Sequence, residues 1–228
     1  MSREKKYAWP AVIAIGIIFI LSNAVWLVPF VRDVEQSAVR YQTEVARRVA
    51  LRADFFLEKK LREMSGLALD ILESGTSSVK TDLLIIKFLA RHPDFLSVDA
   101  VVPVVGDEEY SVSPVVYVSG RKAVRIVAPL PYDGRSLRAV VAIGDSIREM
   151  ADERVGVSGR LYALDAEGTI VFHEYEGVTH IDATGSRAFM AKDGGVGTYM
   201  NEAGERVLGV ALRAPGMGWT IVAESPLS

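Results

Sequence analysis

Residues 7–31 read YAWPAVIAIGIIFILSNAVWLVPFV and hold no charged side chain over 25 positions. A helix rising 1.5 Å per residue needs about 20 apolar residues to cross a hydrocarbon core of about 30 Å. The run is long enough to span with some tilt. Arg3, Lys5 and Lys6 precede it, and basic residues stay on the cytoplasmic side. Trp9 and Trp26 lie near its two ends, where indoles favour the interface. The expected topology is a cytoplasmic N-terminus (1–6), a transmembrane helix (7–31) and everything after it outside the cytoplasm. A cleaved signal peptide ending near Ser22-Asn23-Ala24 is the alternative. Against it, the apolar run continues through Val31 and exceeds the usual 7–15 residues of a signal's apolar region. Both readings put residues 32–228 outside.

Working outward, residues 32–75 form one long helical pattern. Val34, Ala38, Tyr41, Val45, Val49, Ala53, Leu57, Leu61, Met64, Ala68 and Leu72 recur at gaps of three and four, the mark of one helical face. Helices of this length are coiled coils, stalks or repeats. The expected role is a stalk whose first half pairs with a second copy and whose second half packs on the domain. Gly75-Thr76-Ser77-Ser78 ends it. A second helix follows from about Val79 to Arg91, capped by Ser78 and burying Leu83, Leu84, Ile86, Phe88 and Leu89.

From Phe95 the apolar period falls to two, which indicates strands. Strands are expected at Phe95–Val105, Tyr110–Val118 (with Pro114 at an edge or bulge), Lys122–Leu130 and Leu137–Gly144. A short helix then starts at Asp145 as N-cap. After a joint at Val155–Gly159 the pattern repeats. Arg160–Asp165 pairs with Thr169–His173, a helical connection fills roughly 174–193, and three antiparallel strands close the chain. The fold class is α+β with two tandem modules of antiparallel sheet, 76–154 and 155–228.

The segments HPDFLSVDAVV (92–102), RIVAPLPYDGRSLRAVVAIGDSI (125–147), GRLYALDAEGTIVFH (159–173) and GERVLGVALRAPGMGWTIVAESP (204–226) resemble, in this order, the double Cache sensor domain of bacterial transmembrane receptors. The resemblance implies PAS-like sheets, a membrane-distal module with a small-ligand pocket, and a membrane-proximal module. It also implies residence in the bacterial inner membrane and signalling along the helices to a kinase, chemoreceptor or cyclic-dinucleotide output. Members of that family continue past residues 224–226 into a second membrane helix; a stand-alone anchored binding or interaction module of the same fold is the alternative. The Arg-x-Trp-Tyr type of segment found in amino-acid-binding members is missing, which argues against an amino-acid ligand. Asp145 matches an acidic position that often contacts a ligand amine.

Tyr117, Arg125, Tyr132 and Asp145 are the candidate ligand contacts, because they fall on or beside the distal strands. An arginine can clamp a carboxylate bidentately, so a small organic acid is the expected ligand. Trp219, among Val207, Leu212 and Ile221, reads as core, and Gly194-Gly195-Val196-Gly197 reads as a turn. No catalytic constellation appears: none of the three histidines lies in a GxSxG or HExxH setting. His173, Glu174, His180 and Asp182 could converge on a metal, but a strand end and a loop do not force it, so no metal and no cofactor are expected. With no cysteine there are no disulfides or thiolate sites, and a net charge of −3 without a basic run gives nucleic acid no footing. The expected partners are a small ligand, the membrane and a second copy of the chain.

Overall fold

The computed structural model describes residues 4–74, 78–101, 110–129, 136–153, 155–156, 158–173, 195–201 and 203–227, and leaves out the side chains of most of residues 4–24. The chain divides into two compact units, Met1–Tyr41 and Gln42–Ser228.

Helix α1 (Glu4–Ser74) contributes to both. In the first unit its side chains from Val25 to Val34 are exposed, Trp26 and Phe30 among them. Among the described residues no helix is long and apolar enough to cross a membrane. Much of the 7–31 run proposed as a span lies outside the described side chains.

In the second unit the expected stripe of α1 is buried: Val45, Val49, Ala53, Leu57, Met64 and Ala68 all enter one core with both sheets. Gln42 is where this begins. It is fully buried, and its amide Nε2 donates to Ser225 Oγ at 2.6 Å and Leu208 O at 3.3 Å. Arg52 pairs with Glu153 at 2.8 Å and donates to Glu149 O.

Helix α2 (Ser78–Arg91) follows. Its burial corrects the sequence reading. Thr81 and Phe88 are buried and Leu84, Ile85 and Leu89 partly so, but Leu83 and Ile86 are exposed. The run LLIIKFL offers apolar side chains all round the helix, and packing on α1 and the first strand selects the Phe88 side.

The distal sheet contains β1 (Phe95–Val101), β2 (Ser111–Val112), β3 (Val116–Val118), β4 (Arg121–Pro129) and β5 (Ser136–Ala142), in the order β1-β5-β4-β2, with β3 also on β4. Expected strand residues 102–105 lie outside the described set. Pro114 does interrupt the expected 110–118 strand, splitting it into β2 and β3. The gap is satisfied from elsewhere, since Asp165 Oδ2 accepts the Val115 N–H at 2.9 Å. Helix α3 (Gly144–Ala151) leads on to the proximal module.

The proximal sheet has the order β7-β6-β10-β9-β8. It is built from β6 (Arg160–Leu164), β7 (Ile170–His173), β8 (Val196–Met200), β9 (Arg206–Ala214) and β10 (Trp219–Pro226). In each module the first strand pairs with the last, β1 with β5 and β6 with β10, all antiparallel. The two sheets thus share the closure of first strand on last, but β7 is an edge strand on β6, whereas β2 and β3 pair with β4. The helical connection expected at 174–193 lies outside the described residues.

Candidate functional site

Successive side chains of a strand point to opposite faces, so the pairing registers sort the distal residues. Val98, Val124, Ile126, Leu137, Ala139 and Val141 form the near face and join the α1 core. The far face carries the odd-numbered residues of β4 and their partners. There Arg125 lies opposite Val140, Arg138 lies opposite Val127, and Asp99 lies opposite Arg138. Arg125 and Arg138 are therefore diagonal neighbours on one face, within reach of long side chains. Asp99, Arg125 and Arg138 are all exposed. Neither guanidinium has an ion-pair partner among the described residues. Sequence reasoning missed Arg138 and Asp99, because only the register brings them beside Arg125.

The other candidates fall elsewhere. Tyr117 pairs with Lys122 on β4, three residues before Arg125 and so on the opposite face; it is an exposed edge residue. Asp145 is not the N-cap of α3. The cap position is Ile143, with no side-chain bond, and Asp145 sits in the first turn, fully exposed and 3.8 Å from Arg148. The strand runs straight into the helix through buried Ile143, which leaves no turn for an aspartate to cap. Tyr132 lies outside the described residues.

The two modules are joined by polar contacts that are buried or partly buried. Lys122 Nζ donates to Val171 O at 2.8 Å and Ile170 O at 3.2 Å, and burial pushes its ammonium below the usual lysine range. Asp165 takes Val115 N–H with one oxygen, and the Glu167 and Thr169 N–H groups with the other.

The far face of the proximal sheet is closed and polar inside. Glu224 is 1% exposed. It accepts the Tyr199 hydroxyl at 2.6 Å and, at 3.4 Å, the Tyr162 hydroxyl and Asn201 Nδ2. Burial, reinforced by Tyr162 and Glu224, raises Tyr199 far above the ordinary tyrosine value, so it stays a donor. Gly209 makes the room, since a Cβ there would meet Tyr199 Cε1 at 2.6 Å. His173 stacks on Tyr162 with ring centroids 5.6 Å apart; Glu174, His180 and Asp182 lie outside the described residues.

One cluster of metal-ligand type occurs among the described residues, at Glu63, His92 and Asp94. It already holds a cation. Buried Lys60 pairs with Asp94 and lies 2.7 Å from Glu63, and His92, stacked on Phe88, approaches Glu63 at 3.7 Å. Its parts come from α1, the end of α2 and the turn before β1, so no local motif announced it.

Two α+β modules strung on one long helix, each closing its first strand on its last, make a fold of the double Cache type, shared with extracellular domains of histidine kinases and ligand-binding domains of chemoreceptors. Among solved structures, the extracellular domain of mmHK1S-Z2, described as a histidine kinase, matches with a TM-score of 0.67 at 13% identity, over 83% of this chain and 97% of that one. The ligand-binding domain of the Pseudomonas aeruginosa amino-acid chemoreceptor PctB, in complex with L-Arg, matches with 0.62 at 13% identity, over 82% and 94%. That of the P. aeruginosa chemoreceptor PctC, in complex with GABA, matches with 0.62 at 14%, over 82% and 98%. No protein-family model matches the chain, and no curated protein does.

Proposed function

We propose that this chain is the ligand-sensing, extracytoplasmic part of a bacterial membrane receptor. Residues 7–31 anchor it, α1 carries the signal, and an organic acid binds the far face of the distal sheet. The observation that carries this reading is the pair Arg125 and Arg138, two guanidiniums on one exposed face with no ion-pair partner among the described residues. Two arginines can hold a carboxylate by charge-assisted, bidentate bonds. Tyr132, just before β5, is proposed as a further contact. Tyr117 and Asp145 lie off this face and are not assigned to it. Asp99 opposite Arg138 favours a second reading, an acid that also carries an amine, and the complexes of PctB and PctC are in keeping with it.

In this reading two copies pair through the stalk around residues 34–41; Val45 and Val49, expected to share in the pairing, are instead buried in the chain's own core. Ligand binding shifts the dimer between two arrangements by its differential affinity for them. The buried Gln42 bonds to Leu208 and Ser225 tie the last two strands to the helix that leads to the anchor.

The test is calorimetric titration of the full chain in detergent with small carboxylates, each in a form with and without an amine. At 100-fold excess over Kd a ligand adds about 2.7 kcal/mol of stability. Arg125→Ala and Arg138→Ala are each expected to weaken binding about 10- to 100-fold, the worth of one hydrogen bond to a charged group. Binding untouched by both substitutions would remove the site from this face.

A further inference from the structure

Helix α2 turns only its Thr81–Phe88 side to the core. On the opposite side Val79, Leu83 and Ile86 are exposed by 74%, 51% and 63%, and exposed Ala90 extends the row. The gaps are four, three and four. That is the d-a-d-a seam of a coiled coil, with buried Thr81 and Phe88 at the outer f positions. Lone exposed apolar residues are ordinary, but an apolar row on one short helix marks an interaction face. Charges flank it. Lys80 and Lys87 occupy e, Asp82 occupies g, all three are exposed, and none is ion-paired among the described residues.

We propose that this face docks on the same face of a second copy of the chain, α2 beside α2 and parallel. The flanking charges select both occupant and direction. In a parallel pair each g residue meets the e residue five positions on in the other helix, so Asp82 faces Lys87 of the second copy, twice. In an antiparallel pair e meets e, and Lys80 would face Lys87, twice, at a cost. One and a half heptads cover less than the roughly 1,200 Å² of a stable specific interface. The contact therefore forms between copies already held together, which rests on the stalk pairing proposed above, through the effective concentration that pairing supplies. It would join the two distal modules directly, since Phe88 packs edge-on against Phe95 of β1 at 4.8 Å.

The chain has no cysteine, so single cysteines report cleanly. Ile86→Cys, Tyr41→Cys in the stalk and Glu167→Cys on the exposed β6–β7 turn are introduced separately into the full chain in detergent and oxidised. Ile86→Cys is expected to give a disulfide-linked dimer several-fold above Glu167→Cys. Adding Lys87→Glu should cut the yield at least twofold, and adding Asp82→Lys to that variant should restore it. If Ile86→Cys yields no more than Glu167→Cys while Tyr41→Cys crosslinks, the α2 contact is wrong and the stalk pairing stands. If neither crosslinks, both go. An Ile86→Cys yield indifferent to Lys87→Glu overturns the parallel arrangement, and a crosslink only to a different protein overturns the second copy as occupant.

Discussion

The distal and proximal modules share a strand order and a helix over the near face, yet treat the far face oppositely. In the proximal sheet Tyr162, Val222 and Glu224 are buried there, around a carboxylate served by two tyrosine hydroxyls. In the distal sheet the same side presents Asp99, Arg125 and Arg138 to solvent. A far face can thus serve cohesion or recognition. A carboxylate whose donors are all its own chain's groups can take a ligand only by losing them. Guanidiniums with no ion-pair partner among the described residues have only water to lose there.

The largest effect that separates the two faces is expected from Gly209→Ala. The added Cβ would lie 2.6 Å from Tyr199 Cε1 and 3.1 Å from its hydroxyl. The ring must move, and with it the bond to Glu224. Overpacking together with a buried carboxylate short of a donor should cost about 2–4 kcal/mol. The melting temperature should fall by about 4–16 °C at this size. Ligand affinity at the distal face should stay within about twofold, since the modules are separate sheets. A variant that melts normally but loses ligand would reverse the assignment of the two faces.

Tyr199→Phe comes next. It keeps the ring on Gly209 and removes only the hydroxyl, so about 1–3 kcal/mol is expected from urea unfolding. The counterpart on the distal side is Arg125→Ala or Arg138→Ala. Each exposed change should leave stability within about 0.5 kcal/mol while ligand affinity falls. Additivity of Tyr199→Phe and Arg125→Ala in the double variant would support two independent faces; a coupling well above about 0.5 kcal/mol would break the comparison.

Much of the frame was legible in the sequence because it is local. Spacings of three and four mark the buried stripe from Val45 to Ala68. Alternation marks the strands, and the missing N–H of Pro114 marks the break between β2 and β3. What depended on register was not legible. Arg125 stood out as a cation on a strand, but nothing in the chain says that Arg138 is its diagonal neighbour or that Tyr117 points the other way. Glu224 in TIVAES and Tyr199 in GTYM gave the only trace of the proximal network, a polar group in an apolar strand. Helix α2 misled because apolar side chains surround it, so the choice of buried face belongs to its neighbours. Asp145 misled for a related reason: an aspartate before a helix suggests a cap, and only the path through Ile143 excludes it.

The smallest expected effect concerns the near face, where α1 holds the closing turn of the proximal sheet. Asp54 Oδ1 accepts the Gly216 N–H at 3.0 Å, and a Cβ on Gly216 would come within 2.9 Å of that oxygen. Burial raises the Asp54 carboxyl above its ordinary value, bonds from Gly216 and Met217 oppose this, and nearby Glu58 adds to it. A carboxyl raised in the folded state keeps a proton that the unfolded chain releases first. Stability therefore falls as pH rises from the ordinary aspartate value, about 3.9, through the raised one, and the loss is complete above it. Asp54→Asn retains the oxygen that accepts from Gly216 and removes the desolvated charge. It should stabilise the chain slightly at pH 7, by about 0.5 kcal/mol or less, with the gain vanishing below about pH 4. Urea midpoints of both proteins at pH 4 and pH 7 measure this. Destabilisation by Asp54→Asn that grows towards pH 7 would mean that the ionised form makes the contact, and that charge as well as packing holds the proximal module to its helix.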